Sequence, residues 1–192
     1  GAAASLLRQF RFGQIWAGQG EAYPHWTTHD CRGKAWQWDG VWFEWLTLPR
    51  NTVASTTNAQ SCVLRVITQG QALLIPADTG KEEEAALLQQ YGQQLHSTVL
   101  LLGHHGSSGS NSSAWLNAVA PELAIASSGF RNSYHHPTAA VQTRLRAHGI
   151  KLYRTDTQGS MAVLLDGNLT VLPRAGPRFW WQRKPLDATN RK

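Results

Sequence analysis

Three short polar stretches of this sequence hold residue types that do chemistry, and each follows an apolar run. Asp78 follows "LLIPA", His104-His105-Gly106-Ser107 follows "TVLLLG", and "SSGFRNSYHHP", with Asn132, Tyr134, His135 and His136, follows "LAIA". Together they supply one carboxylate and four histidines, the raw material of a metal or acid/base centre. A carboxylate can bridge divalent cations, imidazole nitrogens can complete their shells, and a metal-bound water becomes a hydroxide nucleophile near neutral pH. Gly106 would let the backbone approach a ligand closely. The Ser-rich run through Ser107 and Ser110 leads to an expected helix start, where hydroxyls and free N–H groups suit a phosphate. His136 precedes Pro137 at another expected helix N-terminus, where the dipole favours an anion or a neutral imidazole.

Each stretch taken singly has a plainer reading. Asp78 could cap the helix that follows it, and His135 and His136 could be surface residues of a turn. His25, His29, His96 and His148 read as scattered surface or packing residues. His25 and His29 are four apart, but "EAYPHWTTHDC" contains a proline and two threonines, so helical pairing is not expected. Asp78 with one or two histidines is also a small ligand set for a hydrolase. The case for function therefore rests on three such stretches at the ends of three expected strands, where open α/β sheets bind ligands.

The elements that would position them alternate in type. "KAWQWDGVWFEWLTL" (34–48) reads as a hairpin turning at Asp39-Gly40, with Trp36, Trp38, Val41, Phe43 and Trp45 as its packing residues. A second hairpin joins 61–67 and 71–77 through Thr-Gln-Gly. "TGKEEEAALLQQYGQQL" reads as a helix with Thr79 as N-cap, three glutamates in its first turn and Ala85, Leu88, Tyr91 and Leu95 inward. A buried strand (97–103), a short helix stopped by Pro121, a strand (122–128) and a helix opened by Pro137 and closed by Gly149 follow. Val141 and Leu145 mark the inner face of that last helix. Three strands end the pattern, "KLYRT", "SMAVLLD" and "LTVLP", with a Gly-Asn turn at 167–168. The order predicts a layered α/β architecture.

The chain has 192 residues, enough for one domain with a core, and no apolar run long enough for a membrane span. Its first ten residues lack the basic and apolar regions of a signal peptide. The net charge of +6 is concentrated at the end: Arg174 to Lys192 carries +5, leaving residues 1–173 near neutral. That basic tail, with Phe179, Trp180 and Trp181, reads as a flexible terminus that could touch nucleic acid or anionic lipid. Cys31 and Cys62 are too few for a four-cysteine zinc site; a disulfide and two unrelated thiols stay equally open.

The ordered series "NAQSCVLRV", "ALLIPADTGKEEEAAL", "LLLGHHGSSGSNSSAWLNAVAPELAIASSGFRNSYHHP", "VQTRLRAHG" and "YRTDTQGSMAV" resembles the C-terminal metallo-β-lactamase-like domain of the ComEC family of competence proteins, bacterial inner-membrane DNA-uptake channels. The likeness covers roughly residues 1–172. It implies an αββα sandwich of two sheets between helices, with divalent metal, zinc or manganese, at one edge. It implies Asp78 as bridging carboxylate and His104 or His105 as metal-ligating or catalytic imidazole, with His136 a further candidate; Asn132, in the same polar stretch as His136, is counted with them as a catalytic candidate. Gly106, Ser107 and Ser110 would face substrate. It also favours a Cys31–Cys62 disulfide and so a periplasmic domain.

Two departures stand out. The His-x-His-x-Asp-His signature of the superfamily is absent, so Gly1 would lie just beyond it and the chain would be the later part of the domain. Ala77 replaces the glycine that usually precedes the bridging aspartate. The resemblance thus implies part of a metal-dependent nuclease or phosphodiesterase, partnered by single-stranded DNA and by a transmembrane channel part, with no small cofactor. Alone, the chain is expected to bind metal weakly and hydrolyse nothing. The alternatives are a non-catalytic DNA-binding module and a lactonase-type hydrolase. Exposed sheet edges would also allow a homodimer or a swapped pair.

Overall fold

A computed structural model describes residues 2–18, 27–48 and 57–173. Seven strands form one mixed sheet whose spatial order follows the sequence: β1 (Ala35–Trp38), β2 (Val41–Leu46), β3 (Val63–Thr68), β4 (Gln71–Ile75), β5 (Val99–Leu101), β6 (Leu123–Ala126) and β7 (Lys151–Arg154). The pairs from β1 to β4 are antiparallel and those from β4 to β7 are parallel. The change has a local cause. Asp39-Gly40 and Gln69-Gly70 both adopt positive φ, which gives the tight turns that join neighbouring antiparallel strands. After β4 a helix intervenes each time, and a crossover through a helix returns the chain parallel.

The helices are α1 (Ala2–Gln9), α2 (Lys81–Tyr91), α3 (Ser113–Val119), α4 (Ala139–Ala147) and the single turn α5 (Thr155–Gln158); β8 (Met161–Leu165) and β9 (Leu169–Pro173) pair as a separate hairpin. Leu74, Leu100 and Ala124 are in register across β4, β5 and β6, and all are 0% exposed. They share one core with Leu87 of α2, Trp115, Leu116 and Val119 of α3, and Val141 and Leu145 of α4. Fully burying a side chain of this size contributes about 1.5–3 kcal/mol, so this layer fixes the strand ends that carry the polar stretches.

The layered α/β expectation holds, with corrections at helix ends. Thr79 does not cap α2. It is buried and its hydroxyl has no partner among the described residues, while Gly80 is the cap residue and the Glu83 carboxylate accepts from the Gly80 N–H at 2.8 Å. Ala85 faces solvent; Ala86 and Leu87 point inward instead. Pro137 does not open α4. It follows a cis peptide and sits outside the helix, with Thr138 at the cap. The pattern also missed α1 and α5.

Cys31 and Cys62 form a disulfide, with Cα atoms 5.7 Å apart. It ties the segment bearing the Trp16–His29 bridge to the start of β3. Nearby, Trp36 stacks between Trp16 and Phe43, with ring centroids 6.2 and 5.1 Å away. His25 and the basic tail from Arg174 lie outside the described residues.

Candidate functional site

Because β4, β5 and β6 run parallel, their C-terminal ends share one edge of the sheet, and the three polar stretches emerge there together. Asp78 leaves β4 through a turn in which Ala77 has φ of 54°. This is the left-handed region that favours glycine, so Ala77 holds a conformation costly for a residue with a side chain. His104 and His105 leave β5 with φ of 47° and 57°, two successive residues in the same costly region.

Such a conformation persists only if its surroundings impose it, and here they do. The Asn111 side chain accepts from the Gly103 N–H at 3.0 Å and donates to the Gly103 carbonyl at 3.0 Å. The His104 N–H donates to the Ala77 carbonyl at 2.9 Å, joining the histidine loop to the turn that carries Asp78. Gly106, at φ of 87°, packs so closely on Pro137 that a Cβ would lie 2.6 Å from the Pro137 Cβ. Gly106 is therefore needed for a contact inside the protein, where the sequence suggested an approach to ligand.

His105 is the best-defined donor. Its Nδ1 lies 2.7 Å from the Ser127 carbonyl, which can only accept, so Nδ1 carries the proton and Nε2 is the free nitrogen of the neutral ring. Nε2 faces Asp78 Oδ1 at 3.6 Å, with both side chains about half exposed. A lone pair and a carboxylate aimed at each other suit a cation between them: a proton on Nε2, or a metal ion. A backbone carbonyl on the other nitrogen is the usual support for a metal-binding histidine.

His104 stands edge-on to its neighbours, its ring centroid 6.4 Å from that of His105 and 5.9 Å from that of His136. Partial burial holds the His136 pKa below the usual histidine range, and the adjacent His104 and His105 push it the same way; Asp78 opposes them. Asn132 spends its side chain on position: Oδ1 accepts from the His136 N–H at 2.7 Å and Nδ2 donates to the His136 carbonyl at 2.8 Å. Two asparagines thus do the same work, Asn111 for the His104-His105 loop and Asn132 for His136.

The Ser-rich run expected to meet a phosphate bonds several of its polar groups inside the protein. Ser110 is buried, and its hydroxyl is bonded to the Gly103 carbonyl at 2.8 Å and to Asn111 Nδ2 at 2.8 Å. Ser107 is partly exposed and accepts from the Gly109 N–H at 3.3 Å. The amides before α3 already have an anion: the Glu84 carboxylate accepts from the N–H groups of Asn111 and, at 2.9 Å, Ser112. The Ser112 hydroxyl takes the Trp115 N–H at 3.2 Å. Glu84 is 1% exposed, and burial raises its pKa against the opposing effect of these amides and of Arg144. Arg144 in turn donates to the carbonyls of Ser110 and Asn111. Sequence reading missed Glu84 because three adjacent glutamates look like a solvated first turn.

Among the described residues, no three His, Cys, Asp or Glu side chains are gathered closely enough to hold a metal ion. Asp78 and His105 fit a divalent cation in donor chemistry and in their support, as two members of a larger set.

Relatives decide the broader context. The chain is 48% identical over 176 residues to competence protein ComA of Neisseria gonorrhoeae, covering 91% of this chain and 25% of that protein. It is homologous to a segment of competence proteins. It is also 28% identical over 186 residues to recombination protein 2 of Haemophilus influenzae, covering 95% of this chain and 23% of that protein. A shorter match, 35% over 107 residues, joins it to ComE operon protein 3 of Bacillus subtilis, covering 56% of this chain and 14% of that protein. The chain spans about a quarter or less of these relatives' lengths. No family model matches it. No helix among the described residues is long and apolar enough to cross a membrane.

Proposed function

We propose that this chain is part of a metal-dependent, metallo-β-lactamase-like nuclease domain of a ComEC-type competence protein, which handles one DNA strand during uptake. The observation that carries this reading is the facing pair Asp78–His105, with Nδ1 of His105 pinned by a carbonyl and Nε2 free toward the carboxylate. Homology to competence proteins supplies the DNA context. A divalent metal, zinc or manganese, held by this pair with further donors would supply a hydroxide nucleophile and charge neutralisation at phosphate. In this chain, Asp78 and His105 would bind the metal. His104 and His136 would line the same edge as proton-transfer candidates, and Asn132 and Asn111 would hold their loops.

The Cys31–Cys62 disulfide supports an oxidising compartment, and with it a periplasmic placement next to a membrane channel. The test is cleavage of single-stranded DNA with manganese by the longer protein that carries this segment. Asp78→Ala should abolish cleavage; unchanged cleavage would overturn the nuclease reading. With two facing donors among the described residues, a second reading is a module that binds DNA without cutting it, which predicts metal-independent binding and no cleavage.

A further inference from the structure

The loop from β6 to α4 exposes two aromatic rings beside the histidines. Tyr134 is 76% exposed, more than any other large apolar or aromatic side chain among the described residues, and Phe130 is 48% exposed. Single exposed rings are common and call for no explanation. These two differ in what holds them and where they lead. The Tyr134 ring stacks on His136 with centroids 5.6 Å apart and planes 24° from parallel, and His136 meets His104 at 5.9 Å. A row of rings thus runs from solvent to the edge that carries Asp78 and His105. The Arg131 guanidinium sits 5.2 Å over the Phe130 ring.

The loop is also shaped in advance. Asn132 donates its N–H to the Gly129 carbonyl at 3.2 Å, accepts from the His135 N–H at 3.1 Å, and clamps both backbone polar groups of His136. A ring held by such a frame loses little freedom on binding. The stretch 127–138 contains Arg131 and two histidines and no acidic residue, so its charge suits a phosphate backbone.

We propose that the 129–136 loop is a base-stacking platform for single-stranded nucleic acid, in which Phe130 and Tyr134 take the faces of unpaired bases, Arg131 takes phosphate, and the strand is led past His136 toward Asp78–His105. The inference rests on the nucleic-acid reading above and deepens it, because it assigns the residues that select single strands. Stacked bases in a duplex hide their faces, whereas every unpaired base presents one, so ring platforms are tolerant of sequence and intolerant of pairing.

The test is fluorescence anisotropy of the 192-residue chain with a labelled oligo-dT strand and with a duplex of equal length, in EDTA so that binding is read without metal. The parent chain should bind the single strand more tightly than the duplex. Phe130→Ala with Tyr134→Ala should weaken single-strand binding by about tenfold to a hundredfold and leave duplex binding unchanged. Tyr134→Trp should retain it, and circular dichroism should show the variants folded. A double alanine variant that binds like the parent, or that loses both DNA forms equally, would overturn the platform while leaving the nucleic-acid reading intact. A parent chain that binds neither form would overturn both. Sedimentation with anionic vesicles that depends on the same two rings would assign the loop to a membrane surface and overturn the platform.

Discussion

His105 presents Nε2 to the Asp78 carboxylate at 3.6 Å, beyond hydrogen-bonding distance, while its Nδ1–H is held at 2.7 Å by the Ser127 carbonyl. The pair is oriented and not closed. Zinc added to the chain should bind weakly, giving its larger 15N shift at His105 Nε2 while Nδ1 keeps its proton. Asp78→Asn should weaken that binding by about tenfold or more. Tight stoichiometric metal in the chain alone, or loss of the Nδ1 proton to the metal, would contradict the assignment.

Glu84 makes stability depend on pH. Its pKa is raised by burial above the ordinary value of 4.5, so between that value and the folded pKa the native state holds more protons than the unfolded chain. Its contribution to stability is complete below the unfolded pKa and is lost as pH rises through the folded one. Urea midpoints should therefore fall with rising pH in that window, by at most about 1.4 kcal/mol per pH unit from this group. Glu84→Gln should flatten the slope. An unchanged slope would show that another group is responsible.

Gly106→Ala places a Cβ 2.6 Å from Pro137 Cβ and 2.9 Å from Pro137 Cα, at a backbone φ of 87°. Neither atom belongs to a flexible chain end, so backbone must shift. The expected cost is about 2–4 kcal/mol in urea unfolding. Because Pro137 adjoins His136, the ring contact between His104 and His136 should loosen, which NMR cross-peaks between the imidazoles would report. An alanine variant as stable as the parent would refute the close packing.

The Cys31–Cys62 link spans 31 positions of sequence and restricts the unfolded chain. Reducing it, or making Cys31→Ser with Cys62→Ser, should lower stability by about 2–4 kcal/mol. The loss should appear in urea midpoints with and without reductant. Equal midpoints would mean the bridge contributes nothing to the fold.

Much of this arrangement was legible before folding. Asp39-Gly40 and the glycine of Gln69-Gly70 announce their turns because positive φ favours glycine and aspartate, and "LLIPA", "TVLLLG" and "LAIA" read as strands from composition alone. The site was legible as three polar stretches after three strands. The role of each residue was not. Asn132 read as a catalytic candidate and also braces His136, Ser110 read as facing substrate and is buried, and Glu84 read as complementing the dipole of its own helix and also serves the amides before α3. Glu84 meets its amides 27 and 28 residues away, while Asn132 and Ser110 depend on how their own loops fold back, and periodicity carries neither.

Local turn and strand propensities are enough to place one carboxylate, a histidine pair and a further histidine each after a strand. Which nitrogen of His105 is free follows from long-range packing, because it depends on the Ser127 carbonyl, 22 residues away, arriving from a neighbouring parallel strand. The same packing decides that the amides before α3 are already taken, because α2 delivers Glu84 to them across 27 residues. Local propensity shapes the loops; long-range packing chooses which of their polar atoms remain available for chemistry.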